Sequence, residues 1–156
     1  MSARPIAMIM ALGAGLAAGP VPVAAQRAQD RLTSATRLAC VFSVVATGTW
    51  TKGAPQAEVK PAKLSIEFDQ IDRDDGTARV TGGFGPSEII VRVSADTLHF
   101  VQSFREGPLY LTTVFPRETH DGRMQATHSR HEYTAVQLPG YTSRPEQYYG
   151  ECELQP

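Results

Sequence analysis

Leu64-Ser65-Ile66-Glu67-Phe68-Asp69 sets an apolar residue at every second position and a polar one between. A period of two is that of a β-strand with one face buried and the other in water. Asp72-Arg73-Asp74-Asp75-Gly76 follows, acidic turn residues ending in a glycine. Ala78 and Val80 then resume the same spacing, so the stretch predicts a hairpin.

The same grammar extends both ways. Towards the N-terminus, Leu38, Cys40, Phe42 and Val44 fall on one face of a first strand that runs on towards Trp50. Trp50 is expected to plug one end of the fold. Residues 52–62 (KGAPQAEVKPA), with Pro55 and Pro61, are expected to loop. Residues 26–35 (QRAQDRLTSA) read as a polar lead-in, loose or a short helical turn. Towards the C-terminus the alternating sets are Ile89, Val91 and Val93; Leu98 and Phe100; and Leu109, Leu111, Thr113 and Phe115. A strand over 123–135, a Pro/Gly loop over 138–145 and a last strand over 147–154 complete the chain. Gly82-Gly83-Phe84-Gly85 reads as a turn or bulge, since no helix pattern follows it to form a phosphate cradle.

About eight strands joined by short turns are antiparallel and pair in sequence order. Such a sheet hides its two edges by pairing the first strand with the last. The expected fold is therefore all-β, a small antiparallel barrel or strongly curved sandwich over 36–156. Its only cysteines stand near the two ends of that stretch. Cys40 shares a face with Leu38 and Phe42, and Cys152 with Tyr148 and Leu154, so neighbouring first and last strands bring them within disulfide range.

The first 25 residues follow the grammar of an export signal. Arg4 is the sole charge, 6–19 is an unbroken run of apolar and small residues, and Val23-Ala24-Ala25 places small residues for a cut after Ala25. The run is too short for a helix across a bilayer core of about 30 Å. Leu38-Ala39-Cys40 mimics a lipidation site, but Arg27, Asp30, Arg31 and Arg37 separate it from the apolar run. A periplasmic or secreted protein, with no membrane insertion after processing, is expected. Two cysteines in that oxidising setting predict one disulfide. The chain has 15 Lys plus Arg against 16 Asp plus Glu, and removal of Arg4 leaves a net charge of −2. A near-neutral chain has no basic field to gather nucleic acid.

No catalytic signature is present: no G-x-S-x-G, no H-E-x-x-H, no Walker loop. No metal or cofactor is expected, since two lone cysteines match no zinc spacing. The polar feature with most content is His128-Ser129-Arg130-His131-Glu132. On a strand, His128 and Arg130 share the face of Met124 and Ala126 and so point inward, while His131 points away. A buried guanidinium requires a partner. Glu132, Glu88 and Asp69 are candidates, as is a bound anion. Three readings of the strand compete: a satisfied structural network or rim position, the lining of a small cavity for a polar or anionic ligand, and acid–base or metal chemistry with His99. For the ligand reading the expected residues are His99, His128, Arg130 and Tyr148. His120, beside Asp121 in a turn, is expected in solvent.

Cys40-Val41-Phe42, Leu111-Thr112-Thr113-Val114-Phe115, His128-Ser129-Arg130-His131 and Gln147-Tyr148-Tyr149-Gly150-Glu151-Cys152 resemble a set of small exported bacterial proteins with no established activity. The resemblance implies a recurring exported domain and carries no functional residue across. Three functions compete. The first is a binding module for a small polar or anionic ligand near His128 and Arg130. The second is a metal-independent hydrolase with His128 or His99 as acid/base and Arg130 facing a developing oxyanion. The third is a protein-facing envelope accessory with an exposed apolar patch and no cavity.

Overall fold

The computed structural model describes residues 23–82, 85–105, 107–132 and 144–155. Residues 1–22 of the proposed 1–25 signal, the Gly83-Phe84 tip, the 133–135 end of the expected seventh strand and most of the 138–145 loop lie outside them.

Among the described residues, a helix α1 (Val23–Ser34) precedes eight strands: β1 (Arg37–Thr51), β2 (Ala54–Asp72), β3 (Thr77–Gly82), β4 (Gly85–Ser94), β5 (Thr97–Ser103), β6 (Leu109–Glu118), β7 (Met124–His131) and β8 (Glu146–Gln155). Each strand pairs antiparallel with the next, and β8 returns to β1, closing a barrel. The alternation that predicts strands also fills the interior. Leu38, Cys40 and Phe42 meet Ile66, Phe68, Val91, Leu98, Phe100 and Met124, all buried. Phe68 and Phe100 stack with ring centroids 4.0 Å apart. Cys40 lies directly opposite Cys152 on β8, and the disulfide between them fastens the closing seam.

Val44 departs from the expected face. A bulge between Phe42 and Val44 shifts the register, so Val45 and Thr47 turn inward and Val44 is 36% exposed. The partner strand permits it through Gly150. A Cβ on Gly150 would stand 2.0 Å from the Val41 carbonyl oxygen and 2.6 Å from Phe42 Cα. On β6 the expected face is reversed. Tyr110, Thr112 and Val114 oppose Gln102, Phe100 and Leu98 inside, while Leu109 is exposed outside. Val93 keeps its expected parity but is exposed beside the Ala95-Asp96 turn.

The segment 52–62 is a strand rather than a loop. Lys52 and Gly53 take φ of 52° and 81°, the two-residue turn that matches strand twist, and Thr51 pairs Ala54 across it. Pairing then alternates between hydrogen-bonded and non-hydrogen-bonded residues. Pro55 opposite Trp50 and Pro61 opposite Val44 both fall on non-hydrogen-bonded positions. Their nitrogens therefore face the outer edge of β2, where no donor is needed. β3 joins β2 only from Glu67 onward, so the hairpin tip projects beyond the ring. Trp50 lies on that tip, 58% exposed, and does not plug the barrel.

The plug is α1. Residues 26–35 were expected as a lead-in or single turn, yet Val23–Ser34 forms three turns of helix. Ala28 and Leu32, four residues apart, share a face, and with Ala35 they complete the core at one end. Arg73, in the β2–β3 turn, donates from Nη2 to the Leu32 carbonyl (2.9 Å) and to that of Ala35. These are helix-end carbonyls with no intrahelical partner. Arg31 pairs with Glu118, and Gln29 donates to Asp96, so three separate turns hold the helix.

Candidate functional site

With α1 sealing one end, the opposite end carries a cavity of about 200 Å³. An eight-stranded barrel is just wide enough to be filled by side chains or to admit one small ligand. The difference here lies in strand lengths. β3 ends at Gly82 and β4 begins at Gly85, while Leu64 and Ser65 of β2 run on past them. The mouth on that side has no side chain at the two glycines, and a Cβ built on either would meet nothing within 4 Å.

The far wall is polar. Inward parity on β6, β7 and β8 aligns Tyr110 with Arg130, Thr112 with His128, and His128 with Tyr148. Arg130, His128, Gln102 and Tyr110 line the cavity across from Leu64, Ile66 and Val80. The Arg130 guanidinium carbon lies 5.2 Å from the ring centroids of both Tyr110 and Tyr148, in cation–π contact with each. The Tyr110 hydroxyl donates to Glu132 (3.2 Å) and the Tyr148 hydroxyl to Glu146 (2.6 Å). Each tyrosine thus carries a carboxylate on its hydroxyl, and neither carboxylate lines the cavity. Burial and the neighbouring Glu146 push the Tyr148 phenol up to about 12.

No carboxylate among the described residues ion-pairs with Arg130. Glu146 is its cross-strand neighbour but is engaged by Tyr148. Asp69 is taken on both oxygens by Arg79, which holds its carboxyl below the usual range, and Glu88 stands opposite that same arginine. Of the expected partners, only Glu132 lies near Arg130, and it is reached through the Tyr110 hydroxyl.

His128 is buried beneath the arginine. Arg130 Nε donates towards its Nε2 at 3.4 Å, and Nδ1 lies 2.8 Å from Thr112 Oγ1. An Nε2 that accepts leaves the proton on Nδ1, so the ring is the Nδ1–H tautomer donating to Thr112. Burial, reinforced by the Arg130 charge, pushes the imidazole down to about 3. The ring is thus held neutral at physiological pH, with its Nδ1 proton engaged by Thr112.

The structure brings His128, Arg130 and Tyr148 together, with Tyr148 behind Arg130 rather than in the cavity wall. It places His99 on the outer face of β5, where Nδ1 lies 3.1 Å from Thr113 Oγ1. His99 and His128 therefore cannot serve one site. His120 and His131 are exposed. Among the described residues no group of three His, Cys, Asp or Glu side chains is placed to hold a metal ion. No helix among them is long and apolar enough to cross a membrane. Sequence reasoning missed Tyr110, because β6 reads equally apolar on both faces, and Gln102, a polar residue that continues the inward set of Leu98 and Phe100 on β5. The signal that finds Tyr110 is pairing, since it stands directly across from Arg130. The chain matches no family model, no curated protein sequence and no solved structure.

Proposed function

We propose that this protein is an exported binding module that holds a small anionic ligand in the barrel mouth, with Arg130 as its anchor. One observation carries the reading: a guanidinium clamped between two tyrosine rings, with no ion-paired carboxylate among the described residues, faces a cavity. A half-buried charge of that kind is costly unless an opposite charge meets it. A rigid planar fork presented to an open volume meets an anion with no reorganisation.

Export is supported by the charge and apolar pattern of the first 25 residues and by the seam disulfide, which persists in oxidising compartments. A cut after Ala25 would remove the first three residues of α1 and keep Ala28 and Leu32, the two that enter the core. The cavity favours a ligand over the protein-facing alternative, which requires none.

The test is native mass spectrometry of the mature protein taken from the periplasm, beside an Arg130→Gln variant of the same fold. The wild-type chain is expected to carry, or to take up from a panel of small anions, a mass that the variant does not hold. Equal uptake by both, or uptake by neither across the panel, contradicts the proposal.

A further inference from the structure

We infer that the ligand is a monocarboxylate with a compact apolar body, such as a single ring or a short branched chain. This rests on the reading of the cavity as an anion site and specifies what the anion carries. Three features converge.

The first is charge. Arg130 is the one charged side chain in the described cavity wall, because His128 beside it is a neutral hydrogen-bonding ring. One positive charge balances one negative charge. A phosphate monoester or dicarboxylate would leave a second charge uncompensated in a site partly withdrawn from water.

The second is shape. The two tyrosine rings fix the position of the guanidinium, and His128 takes its Nε donor. The terminal Nη groups remain, and their planar fork matches the two oxygens of a carboxylate.

The third is the opposite wall. Leu64, Ile66 and Val80 face the polar side across the cavity. An ion without an apolar part would leave those side chains against trapped water. The volume of about 200 Å³ is slightly above the roughly 150 Å³ known to accept benzene. That admits a ring with its carboxylate and no long chain.

The experiment is isothermal titration of the mature, disulfide-intact protein with four probes: benzoate, benzamide, acetate and inorganic phosphate. Benzoate carries both features, benzamide loses the charge, acetate loses the ring, and phosphate replaces the fork-matched oxygens. Benzoate is expected to bind at least about tenfold more tightly than each of the others. Arg130→Gln should abolish that preference over benzamide. Leu64→Asn, at the half-buried mouth, should reduce it over acetate while the far-ultraviolet circular dichroism is unchanged. If phosphate or acetate binds as tightly as benzoate, in an Arg130-dependent manner, the apolar-carboxylate assignment is overturned and the anion site survives. If benzamide equals benzoate, the charge argument falls. If no probe binds, both this inference and the proposed function fail.

Discussion

Arg130 and His128, two residues apart on β7, share the inner face of the barrel and meet through Nε and Nε2 at 3.4 Å. A permanent cation is thereby set against an imidazole that burial keeps uncharged. The pair looks like two positive groups in the sequence, yet it presents one charge to the cavity.

The histidine makes stability depend on pH. Its folded value near 3 lies below the ordinary 6.5, so on acidification the unfolded chain binds this proton first. Its contribution is complete above pH 6.5 and lost as pH falls towards 3, by up to about 1.4 kcal/mol per pH unit. Urea midpoints of wild type and His128→Gln between pH 7 and 4 check this. The wild type should lose stability more steeply, and parallel slopes would refute a buried neutral imidazole.

Gly150 should tolerate no side chain. Because its Cβ would fall 2.0 Å from a backbone oxygen of β1, Gly150→Ala must push apart the strands that close the barrel. A loss of at least about 3 kcal/mol is expected, at the upper end for overpacking. Chemical denaturation reads it. A change within about 0.5 kcal/mol, the range of neutral surface substitutions, would mean that β1 does not approach Gly150 so closely.

The disulfide joins residues 112 apart in sequence. Closing a loop of that length restricts the unfolded chain by about 4–5 kcal/mol in the chain-entropy account. The double variant Cys40→Ala/Cys152→Ala should lose stability on that order. The denatured mass of the mature protein should fall about 2 Da below the reduced sequence. A full reduced mass would leave the seam held by strand pairing alone.

The projecting hairpin should be dispensable to folding. Every side chain from Ala54 to Pro61 is exposed. Excising Thr49-Trp50 together with Pro55-Gln56 shortens both strands by one pleat and keeps the Thr51–Ala54 turn. Thermal unfolding should change by less than about 1 kcal/mol equivalent. A larger loss would place the tip within the cooperative core.

Gly82 offers a way to close the mouth without unfolding the barrel. It continues the inward set of Ala78 and Val80, and a Cβ there meets nothing. Gly82→Leu should keep the melting temperature within a few degrees and weaken benzoate binding at least about tenfold. Unaltered binding by the folded variant would place the ligand elsewhere.

Much of this architecture is legible in the chain, for a definite reason. Leu64, Ile66 and Phe68 are apolar on one face and polar on the other, so their direction is decided locally. β6 has no such contrast. Leu109, Leu111 and Phe115 are as apolar as Tyr110 and Val114, and only pairing with β5 decides which set enters. Val44 is misread because a bulge resets parity, and that bulge depends on Gly150, over a hundred residues away. Pro55 and Pro61 look like strand breakers until their nitrogens are known to face an unpaired edge. Helix α1 is hidden by polarity, since two core contacts in 12 residues suffice when three distant turns anchor it.

The inward pointing of His128 and Arg130 follows directly from period-two alternation. Their electrostatic roles do not, because the neutral ring and the tyrosine clamp depend on Thr112, Tyr110 and Tyr148 arriving from neighbouring strands. His99 shows the converse. It stands between Leu98 and Phe100, so the alternation that buries those two turns it outward, and no site on the inner face can include it.

The most direct test is nitrogen NMR of the His128 ring, followed from pH 7 to pH 4 and then titrated with benzoate at pH 7. The account predicts a neutral Nδ1–H ring across that pH range. It also predicts an Nε2 shift that saturates with benzoate in the wild type and is absent in Arg130→Gln. A ring that titrates near 6.5 and ignores benzoate would contradict both the neutral imidazole and the anion site built on it.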